Sequence, residues 1–169
     1  MIFLTIGTHE PFDRLAKAVD VWIDQTSPKH EIFAQIVSPT SDAYRPRNFE
    51  TVAHVPPAEY EKRIIQADLI VSHAGMGSIL TAFTHGKPIV IMPRRGHLHE
   101  TRNDHQYTTV KHLKKRAGLF VANDETEFSG VMNKALETIV GDTPPHLSPV
   151  ADIGFTDAIR NFLLSSNNN

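Results

Sequence analysis

The stretch Val71-Ser72-His73-Ala74-Gly75-Met76-Gly77-Ser78 decides the fold. It begins inside Leu69-Ile70-Val71, a run of branched apolar residues of the kind that fills a strand buried on both faces. It leads into an apolar-rich segment from about Ser78 to Thr84, which reads as a helix closed by Gly86. Gly75 and Gly77 lie between the two, where the backbone must turn tightly and a ligand can approach the main chain closely. A helix that starts there presents unpaired N–H groups and a positive dipole end. The turn is therefore a candidate diphosphate cradle, with Ser78 as an added hydroxyl donor. The plainer explanation stands beside it: any strand-to-helix turn of this kind tends to carry glycine. The lysine of a P-loop and the full dinucleotide glycine fingerprint are both absent.

Outward from that turn the same rhythm recurs. Ile2 to Ile6 is a nearly all-apolar strand ended by Gly7-Thr8. Phe12, Leu15, Ala16, Val19, Trp22 and Ile23 recur at helical spacing, so about Pro11 to Asp24 reads as an amphipathic helix with Pro11 in its first turn. Glu31 to Val37 and Glu50 to Val55 are further strands, and Glu59 to Gln66 is a short helix. On the other side, Pro88 to Met92 is a strand, Pro93 to Arg102 a loop, and about Asp104 to Arg116 a helix. Leu119-Phe120-Val121 is the last strand, followed by helices Phe128 to Val140 and Asp157 to Leu164. Strands alternating with helices in this way define an α/β fold: a single Rossmann-like, doubly wound, mostly parallel sheet with helices on both faces. Residues 1–169 read as one domain. The C-terminal helix, about 151–164, is set apart by the proline-rich loop Gly141 to Pro149, and 165–169 form a frayed tail.

Composition sets limits on function. The chain has 169 residues, 40% hydrophobic and 21% charged, enough for one compact core. A net charge of −2 supplies no general electrostatic reason to bind nucleic acid or an anionic membrane. With no cysteine, disulfides and thiolate metal sites are excluded, and a reducing cytoplasm is compatible. No apolar run approaches the roughly 20 residues that span a bilayer. The first residues read as a strand rather than a signal peptide.

Ligands of open α/β sheets bind outside the carboxyl ends of the strands. Besides the glycine turn, two segments lie there. In Gly7-Thr8-His9-Glu10, Gly7 and Thr8 can line a crevice, and His9 is the acid–base candidate against the commoner outcome of a solvated histidine. Asn103-Asp104-His105-Gln106 opens a helix; Asp104 suits the N-terminal dipole, yet the four together also form a dense set of donors and acceptors for sugar hydroxyls. Pro93-Arg94-Arg95-Gly96 reads as a basic, mobile loop, either solvated or holding a phosphate or an acidic partner group. His97, His99, Asp104 and His105 loosely resemble the histidine–aspartate motif of metallo-β-lactamase-type hydrolases, but the four residues between His99 and Asp104 break its spacing. No metal is expected.

Taken in order, Ser72-His73-Ala74-Gly75-Met76-Gly77-Ser78, Gly86-Lys87-Pro88, Met92-Pro93-Arg94 and Asn103-Asp104-His105-Gln106 resemble the C-terminal domain of family 28 glycosyltransferases. The opening Gly7-Thr8-His9-Glu10-Pro11-Phe12-Asp13-Arg14-Leu15 is similar to the short bacterial exopolysaccharide members. Their eukaryotic counterpart is the donor-binding subunit of the dolichol-pathway GlcNAc transferase. The resemblance runs from Met1 to about Val121. It implies the donor-binding half of a GT-B enzyme divided between two polypeptides, with a UDP-sugar as donor substrate and no cofactor. A separate membrane-anchored subunit would supply the acceptor half and recruit this cytoplasmic one to the inner face of the membrane. In isolation, two copies would be able to pair through the surface meant for that partner.

The same resemblance assigns the diphosphate to Gly75, Met76, Gly77 and Ser78. It places the donor sugar near Asp104, His105 and Gln106, with Gly7 and Thr8 bordering the cleft; His73 and Asn103, which open these two segments, count as substrate-binding candidates with them. Related enzymes often place a glutamate on the uridine ribose where this sequence has Thr81, which can make only a weaker, neutral hydrogen bond. The expected activity is transfer of a hexose from a UDP-sugar to a lipid-linked exopolysaccharide precursor. The alternatives are a non-catalytic UDP-sugar-binding scaffold or sensor and, further off, a metal-dependent hydrolase.

Overall fold

The computed structural model describes residues 1–8, 10–37 and 43–139. Within them the chain alternates strand and helix: β1 (Ile2–Thr5), α1 (Asp13–Thr26), β2 (Ile32–Gln35), β3 (Thr51–Val52), α2 (Pro57–Gln66), β4 (Leu69–His73), α3 (Met76–Thr84), β5 (Ile89–Met92), α4 (His105–Leu113), β6 (Leu119–Val121) and α5 (Glu125–Ile139). A single 3-10 turn, Gly96–Leu98, interrupts the loop after β5. The expected helix Asp157 to Leu164, the tail and His9 lie outside the described residues.

All the pairings are parallel, in the order β3-β2-β1-β4-β5-β6. Parallel strands need a crossover on one face or the other, and both faces are covered here, which is why β1, β4 and β5 are apolar without alternation. The period of two still sorts their side chains. Ile2, Leu4, Leu69, Val71 and Val90 face one layer with Leu15, Val19 and Trp22 of α1 and Phe128 and Met132 of α5. Phe3, Ile70, Ile89 and Ile91 face the other with Ile64 of α2, Ile79 and Phe83 of α3 and Val110 of α4. This is the doubly wound Rossmann-like sheet expected from the alternation.

Boundaries differ where tertiary contacts override local pattern. α1 begins at Asp13, so Pro11 precedes the helix instead of forming its first turn. α3 starts two residues earlier than its apolar run, with Gly75 as N-cap, and α5 starts at Glu125 rather than Phe128. β3 shrinks to two exposed residues at the edge of the sheet, where no neighbour on its outer side rewards a longer strand.

Candidate functional site

From β1 the sheet grows through β2 and β3 in one direction, and from β4 through β5 and β6 in the other. The loops leaving β1 and β4 therefore diverge and open a crevice between them. That crevice encloses about 130 Å³, bounded by Ile6, Gly7, Thr8, Glu10, His73, Arg94 and Gln106. A larger hollow of about 420 Å³ lies on the flank, between α1 and α5, lined by Asp13, Lys17, Tyr44 and Ser129 among others. It is farther from the strand ends and touches none of the glycine turn.

His73, at the end of β4, organises the crevice. A methyl group on Gly75 would lie 2.2 Å from its Nε2, and one on Gly7 would lie 3.3 Å from its Cε1. Gly7 also has φ +80°, a backbone conformation that glycine adopts freely. The imidazole thus occupies space that only two glycines leave open. Ser72 Oγ donates its one proton to Thr5 C=O at 2.8 Å, so the 3.3 Å contact between Ser72 Oγ and His73 Nδ1 has the ring N–H donating. Nε2 is then left as an acceptor beside the turn. Burial, reinforced by the charge of Arg94, holds the His73 pKa down to about 4. The ring is neutral at neutral pH.

α3 starts at this ring. Its first hydrogen bond runs from Ile79 N–H to Gly75 C=O at 3.2 Å, which leaves the N–H groups of Met76, Gly77 and Ser78 without helical partners. Its N-cap, Gly75, makes no side-chain capping bond. A Cβ on Gly77 would meet nothing within 4 Å, so no contact inside the protein demands glycine there. Glycine within a helix costs about 1 kcal/mol relative to alanine, and here it keeps the main chain bare on the side where a ligand would approach.

The loop after β5 forms the opposite wall, and Arg94 in it is packed inside the protein rather than solvated. Arg94 is only 3% exposed. Its guanidinium donates to the carbonyls of Ile6 (2.7 Å), Glu10 (2.7 Å), Pro11 (2.6 Å) and Glu100 (2.9 Å) and lies over the Phe12 ring. Glu100 takes Arg14 in a two-pronged pair, both contacts at 2.8 Å, and accepts the Arg95 N–H at 2.8 Å. Arg95 reaches the Tyr107 hydroxyl at 3.0 Å. A strand end rich in cations is thus consumed by internal partners rather than left for solvent.

Of the residues singled out for a ligand, Gly7, Thr8, His73 and Gln106 border one crevice, and Gly75, Met76, Gly77 and Ser78 stand on the turn beside it. Gln106 Oε1 accepts two main-chain N–H groups, Ala74 at 3.1 Å and Arg94 at 3.0 Å, so this side chain joins the β4 and β5 loops as well as facing the crevice. Asp104 is the N-cap of α4 but makes no capping bond; its Oδ1 accepts the Gly96 N–H at 2.8 Å instead. Asn103 and His105 are exposed on the rim, and Thr81 sits one turn into α3, half-buried. His97, His99, Asp104 and His105 do not converge, and among the described residues no group of three such side chains is placed to hold a metal. Glu10 and Arg94 also border the crevice, Glu10 from the segment after β1 and Arg94 from the basic loop, and neither shows in the sequence as a wall of it. The usable signal is an arginine two residues after the fully buried strand Ile89–Met92, where a charge must find partners.

Comparison with known proteins decides the family. Residues 1–142 match the glycosyltransferase family 28 C-terminal domain. The chain belongs to that family. It is 28% identical over 123 residues to the mouse UDP-N-acetylglucosamine transferase subunit ALG13, covering 70% of this chain and 10% of the relative. The chain thus spans about a tenth of that protein's length. Among solved structures, MurG from Acinetobacter baumannii superposes with a TM-score of 0.59 at 20% identity, over 82% of this chain and 41% of that one. The solution structure of ALG13 superposes with a TM-score of 0.53 at 16% identity, over 94% of this chain and 93% of that one. The fold is that of one half of a GT-B glycosyltransferase. No described helix is long and apolar enough to cross a membrane.

Proposed function

We propose that this chain is the donor-binding subunit of a two-component glycosyltransferase that moves a hexose from a UDP-sugar to a lipid-linked exopolysaccharide precursor. The observation that carries the reading is the uncapped N-terminus of α3, opening on the crevice at the switch point of the sheet in a family 28 domain. There the diphosphate meets the N–H groups of Met76, Gly77 and Ser78 and the positive end of the helix dipole. As the acceptor hydroxyl attacks the anomeric carbon and UDP leaves, the same groups stabilise the charge that develops on the leaving diphosphate. The neutral His73, with Nε2 in its acceptor form, suits a ligand hydroxyl rather than serving as a cation for phosphate. Thr81 offers the ribose one neutral hydrogen bond, and the exposed Asn103, Asp104 and His105 offer the sugar its polar contacts.

The acceptor half comes from a membrane-anchored partner that recruits this chain to the cytoplasmic face. The mouse relative is named as a transferase subunit, which supports a divided enzyme. Exposed Met76, Leu98 and Tyr107, all on elements bordering the crevice, supply apolar surface that such a partner would cover. The base that takes the acceptor proton is His9, next to Thr8 in sequence, or a group of the partner. Calorimetry with UDP tests the reading: saturable binding in the micromolar range is expected, and no heat at millimolar UDP overturns it. Transfer by the reconstituted pair, absent from the isolated chain, separates an enzyme subunit from a sensor of the same fold. His9→Ala then decides whether the base lies in this chain.

A further inference from the structure

The crevice has two walls from distant parts of the sequence, and one side chain holds them together. Arg94 leaves the end of β5, yet three of its four carbonyl partners, Ile6, Glu10 and Pro11, belong to the segment between β1 and α1. The fourth, Glu100, belongs to its own loop. Its main-chain N–H is held by Gln106 Oε1, which also accepts the Ala74 N–H at the glycine turn. The loops after β1, β4 and β5 thus meet at one residue. Glu10 Oε2 lies 4.0 Å from the guanidinium, at the limit of an ion pair, so the four short carbonyl bonds are the main hold on the buried charge, with Glu10 and Glu100 adding attraction from farther off.

We propose that Arg94 is a positioning residue of the donor crevice, a buried guanidinium that makes the β1 loop and the β5 loop open and close as one unit. The clamp itself stands on the hydrogen bonds; its effect on UDP rests on the donor-site reading above. The geometry demands arginine. Four carbonyls arriving from two loops need the planar fork of five N–H donors, whereas lysine offers three donors from a single nitrogen. With only the ammonium in place, the β1 loop loses most of its ties to β5, and the distance from Gly7 and Thr8 to the N-terminus of α3 is no longer set. The arrangement also brings a cation close to His73.

Native-state hydrogen exchange on the ligand-free protein tests the clamp. In the wild type, peptides spanning 6–12 and 94–101 are expected to open with one common free energy, below that of the β1 and β4 core. Clearly different opening energies for the two segments would overturn the proposal without any mutation. In Arg94→Lys, exchange in both segments should rise roughly tenfold or more while β1 and β4 keep their protection. UDP affinity should then fall roughly tenfold, because the cradle is no longer pre-organised. Uniformly faster exchange across the sheet would mean that Arg94 serves only global stability, and it too would overturn the proposal. If wild-type protein binds no UDP, the donor reading fails, and the exchange pattern still decides whether the clamp exists.

Discussion

The turn after β4 and the loop after β5 leave adjacent strands and face the same crevice, yet they are built on opposite principles. The first is built by removing side chains: Gly75 and Gly7 vacate the space that the His73 ring fills, and Gly77 leaves the helix end bare. The second is built by adding them: Arg94, Glu100 and Arg14 form a buried polar strap across two loops. A wall made by omission leaves main-chain N–H groups open to a ligand. A wall made of charges satisfies itself and serves mainly to hold position. The site needs both, since a bare cradle is useful only if the opposite wall stays at a fixed distance.

Four outcomes would break or sharpen this contrast. Gly75→Ala should be the most damaging, costing about 3 kcal/mol or more, because the new methyl group meets the imidazole well inside contact distance. Denaturant unfolding checks it, and His73→Ala in the same background should recover part of the loss if the clash is with the ring. His73 next ties stability to pH. A folded-state pKa near 4 lies below the unfolded value, so the unfolded chain binds more protons between pH 6.5 and pH 4. The stability that a neutral His73 contributes is complete above pH 6.5 and falls by up to about 3 kcal/mol as the pH drops to 4. Unfolding of His73→Asn across that window should show a flatter profile. Asp20, whose pKa is lowered by bonds from Tyr44 and the Arg47 and Asn48 main chain against the opposing effect of burial, loses its contribution only in more acidic solution.

Glu100→Gln probes the charged wall, leaving Arg14 with a weaker neutral acceptor; a loss of about 2 kcal/mol is expected, read by thermal unfolding. The smallest change in stability separates the two kinds of wall best. Gly77→Ala fills open space on a helix and should stabilise the fold by about 0.5 kcal/mol. The same variant should weaken UDP binding several-fold by calorimetry, since the methyl group stands where the diphosphate would approach. A variant that gains stability and keeps full UDP affinity would remove Gly77 from the cradle.

How much of this was legible differs residue by residue. The buried strands Ile2–Thr5, Leu69–His73 and Ile89–Met92 were plain, because a continuous apolar run between turn residues has few other uses. Gly75 and Gly77 stood out as a turn, though for different reasons than the structure assigns: Gly75 answers to His73, Gly77 to no neighbour. Gln106 reads as a donor–acceptor for sugar hydroxyls, while its two main-chain bonds, to Ala74 and Arg94, have no mark in the sequence. Arg94 reads as part of a solvated loop, because a basic side chain near a proline and a glycine has that pattern, whereas its four carbonyl partners bury it.

The amino-acid sequence by itself determined the alternation of strand and helix, and with it a parallel sheet covered on both faces, since these follow from local periodicity and the turn chemistry of glycine. It also placed the glycine turn at the carboxyl end of a buried strand. Only the tertiary structure decided that β1 and β4 are neighbours, that His73 is packed between Gly7 and Gly75, and that Arg94 joins loops more than eighty residues apart. Periodicity is a property of a few consecutive residues. Hydrogen bonds to main-chain carbonyls accept any residue type as partner, so they leave no mark in the sequence of the segment that receives them.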